Sequence, residues 1–418
     1  MKKMYFCIDL KTFFASVECV ERKLDPFKTN LVVADESRGK GGICLAITPK
    51  MKNMGIKNRC RLYEIPPNVK YIIAKPRMKK YIEYSANVYS IYLKYFSKDD
   101  IYVYSIDEVF IDVSAYLKLY KKDPIDLVKF ILDDIYKTYG LTATCGIGTN
   151  LYLAKVAMDI ISKHNPSNIG YLDEELYKEE LWHHTPLTDF WQIGKGIEKR
   201  LNKMHIYDMY DVSKANKKRL FKEFGVNAKH LIDHSNGIET CTIKDIKEYK
   251  PQSKSISTSQ ILFKDYNYDD AMLAMKEMVE VLTLKLVEQD LKTSAISLFI
   301  GYSNDIIMPS KKSKKLFNST DSYSTLIDEF VSLYKNIVNK NEKIRKIGIA
   351  FENLESNKYE QIDLFTDTEK TKKEEKIEKT INLIKLKMGK NSILKGMNLE
   401  ENATTIKRNN LIGGHNAE

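Results

Sequence analysis

The sequence predicts an α+β protein of several domains, and three observations carry that reading. Its 418 residues exceed what one hydrophobic core organises and fit two to four domains. Two β-rich runs, 4–10 and 101–113, each carry carboxylates among apolar residues. Helical-period segments alternate with strand-like ones in the order β-α, insertion, α-β-β-α-β-α, the pattern of a split βαβ sheet with one excursion.

Taken along the chain, Met-Tyr-Phe-Cys-Ile-Asp-Leu at 4–10 reads as a buried strand, followed by a helix from Thr12 to Glu21. The excursion at about 23–76 holds a strand-like Leu31-Val32-Val33-Ala34, a glycine-rich turn (Gly39, Gly41, Gly42) and a short basic helix ending at Gly55. A long helix is expected over 78–96 and a hairpin over 101–113, with Asp107 and Glu108 at its tip. Pro124 opens a helix with Ile125, Leu127, Val128, Ile131, Leu132 and Ile135 on one face; a strand at 141–148 and a helix from Leu151 to Ser162 follow. Residues 166–250 read as helical around Ile193-Gly-Lys-Gly-Ile197, and the polar stretch 244–254, with Pro251, reads as a linker. Residues 255–352 form a second α+β module, with strands at 296–300 and 347–351 and helices at 271–288 and 323–338. In the charged tail, Ile377, Ile381, Ile384 and Met388 share one helical face.

Composition narrows the class. Hydrophobic residues make up 43%, enough to bury cores. The net charge is +11, and residues 1–165 hold nine of the eleven excess positive charges, which suits a polyanionic partner. Six scattered cysteines without a CxxC pair exclude a zinc ribbon and a disulfide framework, and they fit a reducing compartment. No run approaches eighteen apolar residues and Asp9 interrupts the N-terminal apolar stretch, so a cytoplasmic protein is expected.

The chemistry lies in the carboxylates. Asp9 singly could cap the next helix, and Asp107-Glu108 could be turn polarity. Together, at strand ends of one sheet, they repel one another unless a hard divalent cation binds among them, and Mg²⁺ is the natural choice. Cys7-Ile-Asp9-Leu-Lys-Thr-Phe13-Phe14-Ala-Ser-Val-Glu18, together with Tyr104-Ser-Ile-Asp107-Glu108-Val-Phe110, resembles the two metal motifs of the Y-family, translesion DNA polymerases.

The resemblance runs in order through 1–355 and implies a right-hand polymerase. Its expected parts are a ferredoxin-like palm (1–22 and 77–165), small fingers (23–76), a helical thumb with a helix-hairpin-helix (166–245) and a little finger (252–355), followed by a C-terminal tail (356–418). It implies that Asp9, Asp107 and Glu108 are catalytic and hold two Mg²⁺ ions with the Leu10 carbonyl. Phe14 is the implied steric gate against a 2′-hydroxyl. Phe13, Thr48, Lys52 and Lys163 are the implied dNTP contacts, and Gly42, Ile43 and Cys44 the roof over the templating base. Pro49 and Lys52 replace the Tyr and Arg of many relatives, a departure that resembles the UmuC-like branch, and Lys11 stands where many relatives carry another Asp.

Gly194, Lys195 and Gly196 are expected to meet DNA phosphates, as are Lys254, Lys311 and Lys312 in the last module. Gln361-Ile-Asp363-Leu364-Phe365 resembles the peptide with which bacterial polymerases dock on the β sliding clamp. The function expected is low-fidelity translesion synthesis, with primer-template DNA, dNTP, the clamp and other SOS proteins as partners. Two rivals are a nucleotidyl cyclase, whose palm-like fold also has an acidic hairpin but which has no use for the helix-hairpin-helix, the little-finger-like module or the clamp peptide, and a non-catalytic DNA and clamp adaptor.

Overall fold

The computed structural model describes residues 3–250, 255–304, 306–356 and 368–418. The chain divides into two compact units, Met1–Lys250 and Pro251–Ala417.

The first unit is built on a sheet whose described strands follow the spatial order Ile101–Val103, Glu108–Asp112, Tyr5–Leu10, Ala143–Gly148, Ile169–Leu172. Tyr5–Leu10 is central and antiparallel to both neighbours, and Asp9 stands opposite Glu108 on one side and Thr144 on the other. Buried on both faces, this strand is apolar except at its end. The expected boundary at 165 would cut off Ile169–Leu172, which pairs in parallel with Ala143–Gly148. The sheet therefore runs on to Leu172.

The helix Leu151–Val156 widens into a π-helical turn over Ala157–Ser162, a departure from the regular helix expected there. It packs on the sheet through Gly146 and Gly148, whose missing side chains leave room for its backbone. Pro124–Tyr139 buries Leu127, Val128, Ile131 and Ile135 as its period predicts, whereas Ile125, in the first turn, is 42% exposed. The excursion folds as a small sheet, Leu31–Val33 between Ala46–Ile47 and Ile72–Ala74. Its helix, Pro49–Asn53, has Pro at the first turn and ends before Gly55, whose φ of 80° lies in the left-handed region. The segment expected as a linker starts with a helix, Ile243–Glu248, held by a capping box between Thr242 and Asp245.

The second unit pairs its strands in the order Ser310–Thr320, Leu291–Tyr302, Ile344–Ser356, Ser255–Tyr266, all antiparallel. Helices Tyr268–Glu288 and Tyr323–Ile337 cover one face over a core that includes Met278, Leu282, Leu298, Phe330 and Phe351. The strand Ser310–Thr320 was not expected, because its run of lysines lacks the apolar alternation of a half-buried strand.

The tail belongs to this unit. Its helix Thr368–Met388 and the turns after it lie against Tyr268–Glu288, but through polar anchors. Buried Glu277 accepts hydrogen bonds from Thr404 N (2.6 Å), Thr404 Oγ1 (2.7 Å), Thr405 N (3.0 Å) and Asn398 Nδ2 (3.2 Å). Glu374 similarly accepts from Ser324 N (2.8 Å) and Ser322 Oγ (2.8 Å). Of the expected apolar face, Ile377 and Met388 are exposed at 50% and 75%, so hydrophobic burial is not what seats the helix.

Burial pushes Glu378 from an ordinary 4.5 up to about 8, reinforced by Glu374, Asp321 and Glu280 and opposed by Lys395. The folded chain therefore keeps a proton there that the unfolded chain loses above about 4.5, so its stabilising effect is complete below that pH and fades as pH rises to 8. Urea midpoints are expected to fall between pH 6 and pH 8, and Glu378→Gln to remove most of that fall.

Candidate active site

Local structure brings the acidic residues together at one edge of the central sheet. The hairpin turn closes with Tyr104 N donating to Glu108 O (2.9 Å), and Leu10 N donates to Asp107 O (2.9 Å). The strand stops at Leu10, as Thr12 takes a left-handed φ of 47° and the helix Phe13–Glu21 begins. Asp9, Asp107 and Glu108 thus share one end of two paired strands.

Their side chains are held differently. Asp107 accepts from Ser105 Oγ at 2.6 Å. Glu108 is buried and accepts from Lys155 Nζ (2.9 Å) and Cys7 Sγ (3.3 Å). Burial pushes Asp9 up to about 7; Lys163 opposes this, while Asp107 and Glu108 add to it. A carboxyl crowded in this way gains from a nearby cation, so the donor set fits a hard divalent ion. Among the described residues the trio is not one of the groups whose ligand atoms all lie within 4.8 Å.

Lysines surround this edge. Lys163 Nζ lies 4.0 Å from Asp9 and 2.8 Å from Asp159. Burial lowers the Lys52 pKa, as do Lys163 and Lys11, while Asp9 raises it. Lys11 donates to Asn168 Oδ1 and is likewise lowered by burial against the pull of Asp9. Three ammonium groups near one carboxylate form a local anion-attracting field. Lys155, which the sequence reading passed over, bridges Glu108 and Asp159 (3.0 Å). Burial alone would lower its pKa, yet the neighbouring negative charges leave it raised. The signal was present: Lys155, Asp159 and Lys163 recur every four residues along one helical stretch.

Phe14 is half-buried and stacks on Tyr81 at 4.5 Å with an interplanar angle of 19°. Tyr81 OH donates to Glu18 Oε1 (2.8 Å), which also receives Arg77 Nε (3.0 Å), giving the Phe14 ring a fixed floor. Neither Tyr81 nor Arg77 was singled out from the sequence, since both sit about sixty residues from the motif they support.

Three expectations are corrected here. The Phe13 ring is 2% exposed, in the core beside Tyr81, so only its backbone can meet a nucleotide. Thr48 is fully buried, donates to Thr29 O (2.8 Å) and accepts from Leu31 N (3.3 Å), which leaves no hydroxyl for a ligand. Cys44 belongs to the small core around Val32, Ile47 and Cys60, and burial pushes its thiol up to about 12. Gly42 is buried as well, so of the expected roof only Ile43 keeps an accessible side chain.

Gly194, Lys195 and Gly196 are exposed at the start of the helix Lys195–Lys203, and nothing lies within 4 Å of either glycine's absent Cβ. The segment before them holds the helix Glu174–Leu181 and a 3₁₀ turn, Leu187–Asp189. In the second unit Lys311 and Lys312 are split by strand alternation. Lys311 stands opposite Phe299 on the helix-free face, Lys312 opposite buried Leu298 on the helix side. The helix-free face otherwise presents Ser297, Ser313, Gly348, Ala350 and Lys346. Lys254 and the peptide Gln361, Asp363, Leu364, Phe365 lie outside the described residues.

The fold is that of a right-hand polymerase. A solved structure, a Y-family DNA polymerase chimera (Dbh-Dpo4(243-245)-Dbh), matches with a TM-score of 0.62 at 21% identity, covering 85% of this chain and 100% of the other. Family models match twice: the impB/mucB/samB family at residues 8–159 and its C-terminal domain at 253–364. The putative UV-damage repair protein UvrX of Bacillus subtilis is 30% identical over 99% of this chain and 98% of its own length. DNA polymerase IV 2 of the same organism is 28% identical, with 99% of each chain covered. DNA polymerase IV of Clostridium acetobutylicum is 27% identical over 96% of this chain and 99% of its own. The chain belongs to the impB/mucB/samB family of Y-family DNA polymerases. Among the described residues no helix is long and apolar enough to cross a membrane.

Proposed function

We propose that this DNA-directed DNA polymerase performs low-fidelity synthesis across damaged template bases, joining a dNTP to a primer 3′-hydroxyl. The observation that carries the reading is the acidic edge itself, with Asp9, Asp107 and Glu108 on neighbouring strand ends and Lys11, Lys52 and Lys163 around it. Asp9, Asp107, Glu108 and the Leu10 carbonyl would hold two Mg²⁺, which when bound stabilise charge on the attacking and leaving oxygens.

The chain's own residues do the rest. Lys163, Lys52 and Lys11 draw in the triphosphate and offset its charge. Lys155 holds the Glu108 carboxylate in place at the acidic edge. Ile43 is the aliphatic cover over the nascent pair, too small to check its shape closely.

Phe14, braced by Tyr81, leaves no room for a 2′-hydroxyl. In Phe14→Ala the dNTP-to-rNTP ratio of kcat/KM is expected to fall about 10- to 200-fold. Tyr81→Ala should move it in the same direction by less, as it loosens the floor and leaves the ring.

The helix-free face of the second unit serves as a track for the DNA backbone, where small residues allow close approach and Lys311 and Lys346 reach phosphates. Lys311→Ala and Lys346→Ala are each expected to weaken binding equally for all sequences and to reduce the salt slope by about one. We place the palm at 1–22 and 77–172, the fingers at 23–76, the thumb after Leu172, and a little finger that includes the tail. The peptide 361–365 would dock on the β sliding clamp, with Gln361 in a polar slot and Leu364-Phe365 in an apolar pocket.

Primer extension across an abasic site, with and without clamp, tests the reading. Extension past the lesion, enhanced by clamp and abolished by removing Mg²⁺, is the expected result. Failure to extend even an undamaged template would favour the adaptor alternative.

A further inference from the structure

In the helical region that follows the central sheet, a second cluster of ligand atoms stands apart from the acidic edge. His230 and His234 are four residues apart on the helix Ala228–Ser235, so both rings leave the same face. The chain then reverses at Gly237, with φ at 74°, and brings Glu239 back beside them. One ring nitrogen from each histidine and one Glu239 oxygen all lie within 4.8 Å of one another.

The cluster is oriented from behind. His234 is 4% exposed, stacks on Tyr152 at 4.0 Å and has Nε2 3.0 Å from Glu239 Oε2. The other Glu239 oxygen accepts from Cys241 N at 2.7 Å. The hydrogen bond with His234 and the backbone amides hold the Glu239 carboxyl below the usual range despite partial burial. Both histidines line a cavity of about 240 Å³, where the nearby Arg200 turns to Glu223 O (3.2 Å) and to the Phe224 ring (4.4 Å).

We propose that His230, His234 and Glu239 bind one Zn²⁺ ion, with a fourth coordination position open to this cavity. Two imidazoles and one carboxylate are a donor set suited to Zn²⁺, whereas Mg²⁺ takes oxygen ligands. The Tyr152 ring under His234 and the Cys241 N–Glu239 hydrogen bond orient two of the ligands before the ion arrives, and the proton shared by His234 Nε2 and Glu239 leaves as the ion takes its place. The ion's task follows from where Glu239 sits. The loop that carries it is tied to the central sheet region by Asn150 Nδ2 donating to Gly237 O (2.8 Å). It then leads into Ile243, which packs with Tyr5, Cys7 and Phe110. An ion joining the helix Ala228–Ser235 to this loop therefore stiffens the joint between the helical region and the sheet that bears the acidic edge.

The test is Co²⁺ titration of the tag-free full chain in excess Mg²⁺, followed by visible d–d absorption, with Zn²⁺ as competitor. One Co²⁺ per chain is expected, with no thiolate charge-transfer band, displaced by Zn²⁺. Zn²⁺ should also raise the Tm. His230 is exposed, so His230→Ala keeps the fold, and its Co²⁺ affinity should fall more than about tenfold with the Zn²⁺ shift in Tm lost. Asp107→Ala should leave both readouts unchanged. Unaltered Co²⁺ spectra and affinity in His230→Ala, or no visible bands in the parent chain, would overturn the proposal.

Discussion

Asp107→Ala is expected to lower the primer-extension rate at least about 10³-fold while leaving DNA affinity and Tm unchanged. The carboxylate is half-exposed and, among the described residues, its side-chain hydrogen bond comes from Ser105, on the same turn. The contact that fixes the strand ends, Leu10 N to Asp107 O, is backbone and survives the substitution. The loss therefore falls on charge at the acidic edge and not on the fold. Glu108 is the poorer choice. Removing its carboxylate would leave the buried Lys155 ammonium with Asp159 alone, mixing instability with chemistry. Extension kinetics, fluorescence anisotropy on primer-template DNA and a thermal melt separate these effects. Normal extension by the variant would remove the acidic edge from the mechanism.

The sequence made some of this site legible and hid the rest for physical reasons. Asp9 and Asp107-Glu108 stand out because carboxylates rarely interrupt apolar strand runs, and the register of those strands brings them together. Phe14 was legible by its place in the motif, but its floor was not, because Tyr81 and Glu18 meet across a tertiary contact. Thr48 and Cys44 were misread because periodicity in the short fingers strands is too brief to say which side faces in. Lys312 was grouped with Lys311 as one basic patch, and only a strand, not expected from five-residue lysine clustering, puts the two on opposite faces. Ile377, Ile381, Ile384 and Met388 make the tail legible as a helix, yet its seat depends on polar anchors, among them buried Glu277 in a helix packed mostly by apolar residues.

Gly148→Ala is expected to cost the fold heavily, and its effect should reach the site. A Cβ there would lie 2.1 Å from Ala154 N and 2.6 Å from Leu153 C, both backbone atoms that no side-chain rotation can move. Gly146 is tighter still, with Ala154 O at 2.0 Å. Accommodating the methyl means pushing the helix Leu151–Val156 off the sheet, an overpacking cost at or above about 3 kcal/mol. That corresponds to a Tm lowered by roughly 6–12 °C for a unit of this size. The same helical stretch carries Lys155 and leads into Asp159 and Lys163, whose ammonium and carboxylate groups lie within 4.0 Å of Glu108 or Asp9 or of each other. A shift of the helix therefore lengthens the Lys155–Glu108 and Lys163–Asp9 approaches together. At a temperature where the variant is still folded, primer extension should fall with a raised KM for dNTP, while a substitution at an exposed glycine such as Gly194 should change neither Tm nor that KM. A Gly148→Ala protein with parental Tm would show that the strand and the helix are not held at the close approach on which this placement of the lysines depends.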